Sequence, residues 1–445
     1  MATPRSAFVR SVVCLAAVGL FTASAQARGG RYLIVTANGF ANAPALATFV
    51  SARTAQGFQV SVYSVPTGTT KETIRTYIES WYDATQPAYV LIVGDSVEGT
   101  TLSTATTIPH WIGTVFLHAP TDLPYACMDG SSDWYPDIYL GRFPVDTAAD
   151  LQAAVAKTLY VEAGVFPDPN YAKRAVFVTH EDPVPLSEAA QDWLIDNYFT
   201  PAGFTSTRVY QSQGGTTAQI AAAENAGCLF SSYMGHSSFG GWWGPPFYTS
   251  DVQALTNTGR YGLVFAASCG TARFDWAYGE CFGEMWLRTP NKGAAAYISS
   301  TTEIYSGPAS EWESVKRLQK YFYRAFLQNG VWEVGPAWHQ ALYSLLADPL
   351  YGPDHPHTHA YFEEFVLIGD PALMLPHDPG HDNGNLNCDD AIDGRDVSAF
   401  VLALVDPAGY AAAYPACHRT LADCNGDGLV DTADIAPFVA KLLSQ

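Results

Sequence analysis

A histidine and a cysteine stand at the ends of two apolar runs. CLFSSYMGH, residues 228–236, ends on His236, and LVFAASC, residues 263–269, ends on Cys269. A thiolate is a strong nucleophile, but a free cysteine is mostly protonated at neutral pH. A nearby imidazole can take that proton and later give it to a leaving group. The two side chains must come within hydrogen-bond reach, and neighbouring parallel strands roughly 4.8 Å apart can provide that. Main-chain N–H groups beside the nucleophile and beside the histidine can then face an oxyanion. Small residues crowd both places: Gly235 and Ser238 on one side, Ala267, Ser268 and Gly270 on the other. Such neighbours let a substrate main chain come close. Trp242 and Trp243, in the glycine-rich stretch that follows, are candidates for a substrate wall. A lone buried cysteine is more often inert core than nucleophile. A lone histidine at a strand end is often just a satisfied polar residue. Their joint placement is what points to chemistry.

The elements around them follow a pattern. RYLIVTA (31–37), QVSVYSV (59–65), YVLIVGD (89–95), DIYLGRF (137–143), AVFVTH (175–180) and GAAAYISST (293–301) read as further strands. Helical patterns lie between them, among them KETIRTYIESWYDA, DLQAAVAKTLYVEAG and SEAAQDWLIDNYF. Doubly apolar strands each followed by a helix predict an α/β fold, a mostly parallel sheet sandwiched by helices. Ligands gather at the carboxyl ends of such strands. Asp95, His180 with Glu181, His236 and Cys269 are therefore expected on one functional edge. Prolines 167 and 169 interrupt the alternation and divide the unit into two halves, 28–168 and 169–376.

The chain has 445 residues, which suggests roughly two to four folding units. Forty-three acidic residues against 23 basic give a net charge of −20, which argues against nucleic acid as a partner. Arg5 and Arg10, a short apolar core and Ala25-Gln26-Ala27 read as a signal peptide, residues 1–27, and imply a secreted protein. The apolar core is short of the roughly 20 residues a spanning helix needs, so no membrane span is expected. Of eight cysteines Cys14 would leave with the signal. The odd remainder in an oxidising compartment implies an unpaired thiol.

Beyond a linker-like stretch, residues 377–384, the sequence repeats itself. Asn385, Asn387, Asp389, Asp393 and Asp396 precede VSAFVLALV, and Asp423, Asn425, Asp427, Asp431 and Asp434 precede IAPFVAKLL. Oxygen ligands at positions 1, 3, 5, 9 and 12 of a loop that opens a helix form the pattern of an EF-hand-type Ca2+ loop. Two such loops predict a small all-α domain, residues 385–445, with two calcium sites. A pairing of Cys388 with Cys417 would close it. This tail resembles a dockerin-type domain, which implies docking to a cohesin-like partner. A calcium-stapled cap is the plainer alternative.

GCLFSSYMGHSSFGGWWG with LVFAASCGTARFDWAYGECFGEMWLR resembles the histidine and cysteine boxes of gingipain-type cysteine peptidases, relatives of caspases and clostripain. PDIYLGRFPVDTAADLQAAVAKTLYVE (136–162) and FVLIGDPALML (365–375) resemble further parts of that family, so the likeness covers about residues 31–376. It implies a caspase-like fold of two subdomains and peptide-bond hydrolysis through a thioester. Carried over by residue, Cys269 is the nucleophile, His236 the general acid/base, Glu181 the acid that orients the histidine, with Asp182 beside it, and the main-chain N–H groups of Cys269 and Ser237 the oxyanion donors. The acid selecting a basic P1 side chain falls at Ser187 or Glu188, and Glu188 could pair with Arg or Lys. The family has glycine after the histidine where this chain has Ser237. That departure motivates a second reading, a catalytically impaired peptidase fold that serves as a binding scaffold attached through its tail.

Overall fold

The computed structural model describes residues 29–115, 118–130, 132–182, 186–304, 315–377, 383–389, 391–414, 417, 419–425 and 430–443. The expected signal segment, 1–27, and most of the expected linker lie outside these residues. In the first half β1 (Arg31–Ala37), β2 (Gln59–Val65), β3 (Ala88–Val93) and β6 (Tyr139–Phe143) are parallel. The crossovers are α1 (Pro44–Ala55), α2 (Lys71–Trp81) and, between β3 and β6, a loop holding the short hairpin β4 (Trp111–Ile112) and β5 (Pro120–Thr121). Every residue of β3 is buried, as a strand must be when helices cover both faces of its sheet. After β6, α3 (Ala148–Glu162) starts in a capping box. The Thr147 side chain accepts from the Asp150 N–H, and the Asp150 carboxylate accepts from the Thr147 N–H.

The second half runs β7 (Arg174–Thr179), α4 (Leu186–Leu194), β8 (Thr205–Tyr210), α5 (Thr217–Ala226) and β9 (Phe230–Met234). A small antiparallel sheet follows, β10 (Ser237–Ser238), β11 (Gly241–Trp243) and β12 (Pro246–Tyr248). Then come α6 (Thr249–Ala254), β13 (Leu263–Ala267), α7 (Phe282–Arg288) and β14 (Ala296–Ser300). Helices α8 (Val315–Leu327), α9 (Val334–Leu346) and α10 (Pro356–Glu364) lead to the late strand β15 (Phe365–Ile368).

All ten long strands form one sheet in the order β2-β1-β3-β6-β15-β14-β13-β9-β7-β8. β15 joins the halves. It is antiparallel to β14 and touches β6 through the single pair Ile368–Arg142. The other strands are parallel within each half. Contacts across the halves set their strand ends on one side: the Glu98 N–H, past β3, donates to the Asp275 oxygen, past β13, at 2.7 Å, and Tyr160, near the end of α3, packs on Tyr261, just before β13. Asp95, past the end of β3, therefore lies, as expected, on the side of the sheet where the chain leaves Cys269.

A buried charge cluster ties the residues after β15 to the first half. The Tyr32 hydroxyl donates to Asp370 at 2.6 Å, and the fully buried Arg53 pairs with Asp370 and, at 2.7 Å, with Glu162. Charges so deep persist only when paired.

The tail is all-α: α11 (Asp396–Val405), α12 (Pro407–Ala413) and α13 (Ile435–Leu443) around Leu386, Phe400, Tyr410 and Phe438. Phe400 and Phe438, equivalent positions of the repeat, stack at 4.0 Å, and a disulfide joins Cys388 to Cys417. The tail docks on the α8–α9 hairpin. The buried Asn383 amide donates to the main-chain oxygens of Asn329 and Asp423, and the Gln340 amide donates to the Asp423 carboxylate at 3.4 Å.

Candidate active site

β9 and β13 are paired in parallel with Met234 opposite Ala267. His236 and Cys269 each stand two residues beyond that pair, so the register sets them side by side at one sheet edge. The Gly235 N–H, donating to the Ala267 oxygen at 3.4 Å, carries the ladder one step past β9. Gly235 has φ +153°, and a Cβ there would overlap the Cβ of His180. Only glycine fits both demands.

The thiol is half-buried. Burial pushes its pKa up; the Ile304 N–H, 3.5 Å from Sγ, works against this, and the carboxylates of Glu303 and Glu364 add to it. Cys269 therefore rests as a thiol and needs a base. No hydrogen bond joins it to the His236 ring among the described residues. The Cys269 N–H likewise has no acceptor among the described residues.

The residue after the histidine is built into the site. Ser237 is buried, has no left-handed backbone, and its hydroxyl donates to the Cys269 carbonyl at 2.6 Å. The Trp243 N–H donates to the His236 oxygen at 3.1 Å, which makes Ser237–Trp242 a non-hydrogen-bonded pair of the β10–β11 ladder. The Ser237 N–H thus points away from β11 and is not used by that ladder. The Tyr233 hydroxyl donates to the same His236 oxygen at 2.5 Å.

The acid nearest the histidine is Asp182, not Glu181. Asp182 Oδ2 lies 3.7 Å from His236 Nε2. Glu181 is exposed, and its N–H donates to the Gln211 side chain at 3.1 Å. Two acids follow one strand, and the turn that decides between them cannot be read from residue types. His180, which sequence reasoning placed only on the edge, packs its ring against His236 with centroids 5.1 Å apart.

The two tryptophans part company. Trp242 is wholly buried, stacked on Tyr233 at 4.5 Å, so it is core beneath the site rather than wall. Trp243 is half exposed, its ring 6.1 Å from that of His236. Adjacent residues of a strand face opposite ways, a signal present in the sequence. Glu188, on α4, accepts from the Ser212 hydroxyl and from the Gln213 amide at 2.9 Å.

In the tail the repeat's last acids, Asp396 and Asp434, are fully buried and organise their loops. Asp396 accepts from the N–H groups of Leu386, Asn387 and Asp393, and Asp434 from those of Asn425 and Asp431. Asn385 and Asn387 side chains accept from the Asp389 N–H. Arg395 pairs with Asp389 and Asp393, each at 2.7 Å. Gln340 holds Asp423 from outside the tail. Asp427 lies outside the described residues.

Comparison with known proteins agrees with this frame. Residues 25–376 match the model of Peptidase family C25, and the chain belongs to that family. It is 26% identical over 371 residues to Lys-gingipain of Porphyromonas gingivalis, covering 77% of this chain and 20% of that protein. It is 24% identical over 297 residues to gingipain R1 of the same organism, covering 64% and 28%. The chain thus spans about a fifth of the length of the first of these relatives. Its fold is similar to the crystal structure of the Arg-specific cysteine proteinase gingipain R, with TM-score 0.64, 19% identity and 78% of each chain covered. A structure described only as a protease matches with TM-score 0.66, 23% identity and coverage of 78% and 79%. The mostly parallel sheet is the caspase-like α/β arrangement of these structures. No helix among the described residues is long and apolar enough to cross a membrane.

Proposed function

We propose that this chain is an exported cysteine endopeptidase in which Cys269 attacks a peptide carbonyl and His236 moves the proton. The observation that carries it is the ladder register that sets these two residues side by side. His236 takes the thiol proton as sulfur bonds to the carbonyl carbon, then returns it to the departing amine. The free Cys269 N–H and the Ser237 N–H supply the two donors an oxyanion needs. Asp182 meets the imidazolium through Nε2, leaving Nδ1 for the thiol. Glu181, the acid named by the resemblance, stands one residue away and can share that field. Water completes the cycle by hydrolysing the thioester.

A basic P1 side chain is the substrate feature this reading favours, since the relatives' names specify Lys and Arg. Glu188 is its acid. The neutral Ser212 and Gln213 that occupy Glu188 are groups a guanidinium or ammonium would displace. A peptide library varied at P1, digested by the wild type and by Cys269→Ala and His236→Ala, tests this. Cleavage after Lys or Arg that both variants lose, a drop of about 10³ or more, is expected. Cleavage retained by Cys269→Ala ends the assignment. The scaffold reading gains support from the burial that keeps the Cys269 thiol protonated. It would be established by a wild type that cleaves nothing and leaves a thiol-directed peptide probe unreacted.

For the tail we infer two calcium sites and a cohesin-like partner. The donor sets are all oxygen, and Arg395 lying across Asp389 and Asp393 marks the need of these carboxylates for a cation. Calcium there would neutralise the loops and fix the helix starts. Val397, Val401 and Val405 on α11 are exposed, and so are their repeat equivalents Ile435, Val439 and Leu443 on α13. Two exposed apolar stripes of this kind suit a protein partner.

A further inference from the structure

Beyond the nucleophile, the base and its acid, the β7 turn holds a residue whose surroundings are shaped to it. We propose that His180 is a positioning residue for His236, holding the main chain of Asp182 so that its carboxylate meets the catalytic imidazole; this rests on the peptidase reading above.

His180 directly follows β7, and its N–H donates to the Met234 oxygen at 3.1 Å, adding one rung to the β7–β9 pairing. Its side chain therefore emerges beside Gly235, the residue before His236. Two glycines make room for it. A Cβ on Gly235 would overlap the His180 Cβ, and a Cβ on Gly244 would overlap its ring carbon Cδ2. The imidazole so held turns its Nδ1 back on its own chain. The Asp182 N–H donates to Nδ1 at 2.9 Å, and the Asp182 oxygen lies 3.2 Å from the same nitrogen. A neutral ring with its proton on Nε2 accepts the first contact, and a protonated ring donates to the second. The clamp on Asp182 thus persists in both states.

This clamp has something to accomplish. The Asp182 side chain is 73% exposed and His236 is 50% exposed. An ion pair between such groups contributes little, because two free side chains must be ordered to make it. Fixing the main chain of one partner in advance removes part of that cost. The edge-on contact of the two imidazoles, 89° between planes, restrains the other partner. The titratable groups about the His236 ring are His180, Glu181 and Asp182 from the β7 turn and Cys269 from β13.

The test uses the full chain. His180→Phe keeps the ring and deletes the nitrogen, His180→Asn keeps a polar atom near the Nδ1 position, and Asp182→Asn removes the charge. Three readouts apply: kcat and KM on a cleaved peptide, the double-variant cycle, and the His236 tautomer from ring nitrogen NMR shifts. His180→Phe should lower kcat about tenfold with KM within about twofold, as Asp182→Asn does. The double variant should lose about tenfold rather than the hundredfold that independent effects would give. His180→Asn should recover most of the loss. The NMR spectrum should show one His236 tautomer, protonated on Nε2, in wild type and a mixture in His180→Phe and Asp182→Asn. Multiplicative losses, or an unchanged tautomer in His180→Phe, overturn the proposal. If the wild type cleaves no peptide, the peptidase reading fails, while the tautomer measurement still decides the role of His180. Should His180→Phe not fold, His180→Gln, whose polar atoms sit one carbon farther out, takes its place with the same expected losses.

Discussion

Ser237 replaces the glycine that the resemblance leads one to expect after the histidine, and it does so without backbone strain. Its φ is not left-handed, its N–H stays clear of the β10–β11 ladder, and its hydroxyl binds the Cys269 carbonyl. Serine here braces the nucleophile's main chain. Ser237→Gly removes one hydrogen bond, about 1 kcal/mol, and adds backbone freedom, roughly another 0.5–1 kcal/mol. Thermal melting should fall by about 2–4 °C per kcal/mol lost, and kcat should drop several-fold. A Ser237→Gly protein that turns over faster than wild type would instead mark serine as an impairment. At this scale the sequence exposed much of the site. His236 and Cys269 end two apolar runs, which is visible in the letters. The preference for Asp182 over Glu181 was not, because it follows from the turn His180 imposes. The burial of Trp242 was legible only by counting the strand's alternation.

Elements were readable in proportion to how apolar they are. β1 and β2 occupy the expected residues 31–37 and 59–65, and most other expected strands are shorter by a residue or two at an end. β8, Thr205–Tyr210, escaped notice because it is an edge strand whose outer residues are polar. α4 runs on into a π-helical turn at Ile195–Phe199, which the helical pattern absorbs without trace. In the tail one difference between the two loop-helix copies concerns a cation. Arg395 pairs with the acids of the first loop, and Ala433 stands at the equivalent place in the second. The first loop carries its own competing cation. Titration calorimetry with calcium should resolve a weaker and a tighter site, and Arg395→Ala should tighten the weaker one about tenfold. Equal sites in the wild type, or no heat from either, would contradict this. The same titration run with an immobilised cohesin domain should show capture that EDTA abolishes.

Among the described residues the carboxyl groups of Glu364 and Glu224 are buried with no cation beside them. Burial, with some help from Glu363, pushes Glu364 up to about 9 from 4.5, and burial lifts Glu224 to about 7. Between 4.5 and about 9 the folded chain keeps a proton on Glu364 that the unfolded chain releases. This contribution to stability is complete below the unfolded value and is lost as pH rises through the folded one. His110 and His339 act on the other limb. Burial lowers both to about 4, so their contribution is complete above 6.5 and is lost as pH falls toward 4. Glu364→Gln should flatten the alkaline limb: its melting temperature should exceed that of wild type at pH 9 by more than at pH 5. An equal offset at both values would show that Glu364 is not the titrating group. The reversed course of one four-residue strand was illegible at this scale, since nothing in the letters of β15 says that it lies antiparallel to β14. That strand has a temporal consequence. β15 is the last of the sheet to be synthesised, yet it sits between β6 and β14 in its middle. Until residue 368 has been made, the growing chain carries two unpaired strand edges. A polypeptide in that condition cannot complete its sheet.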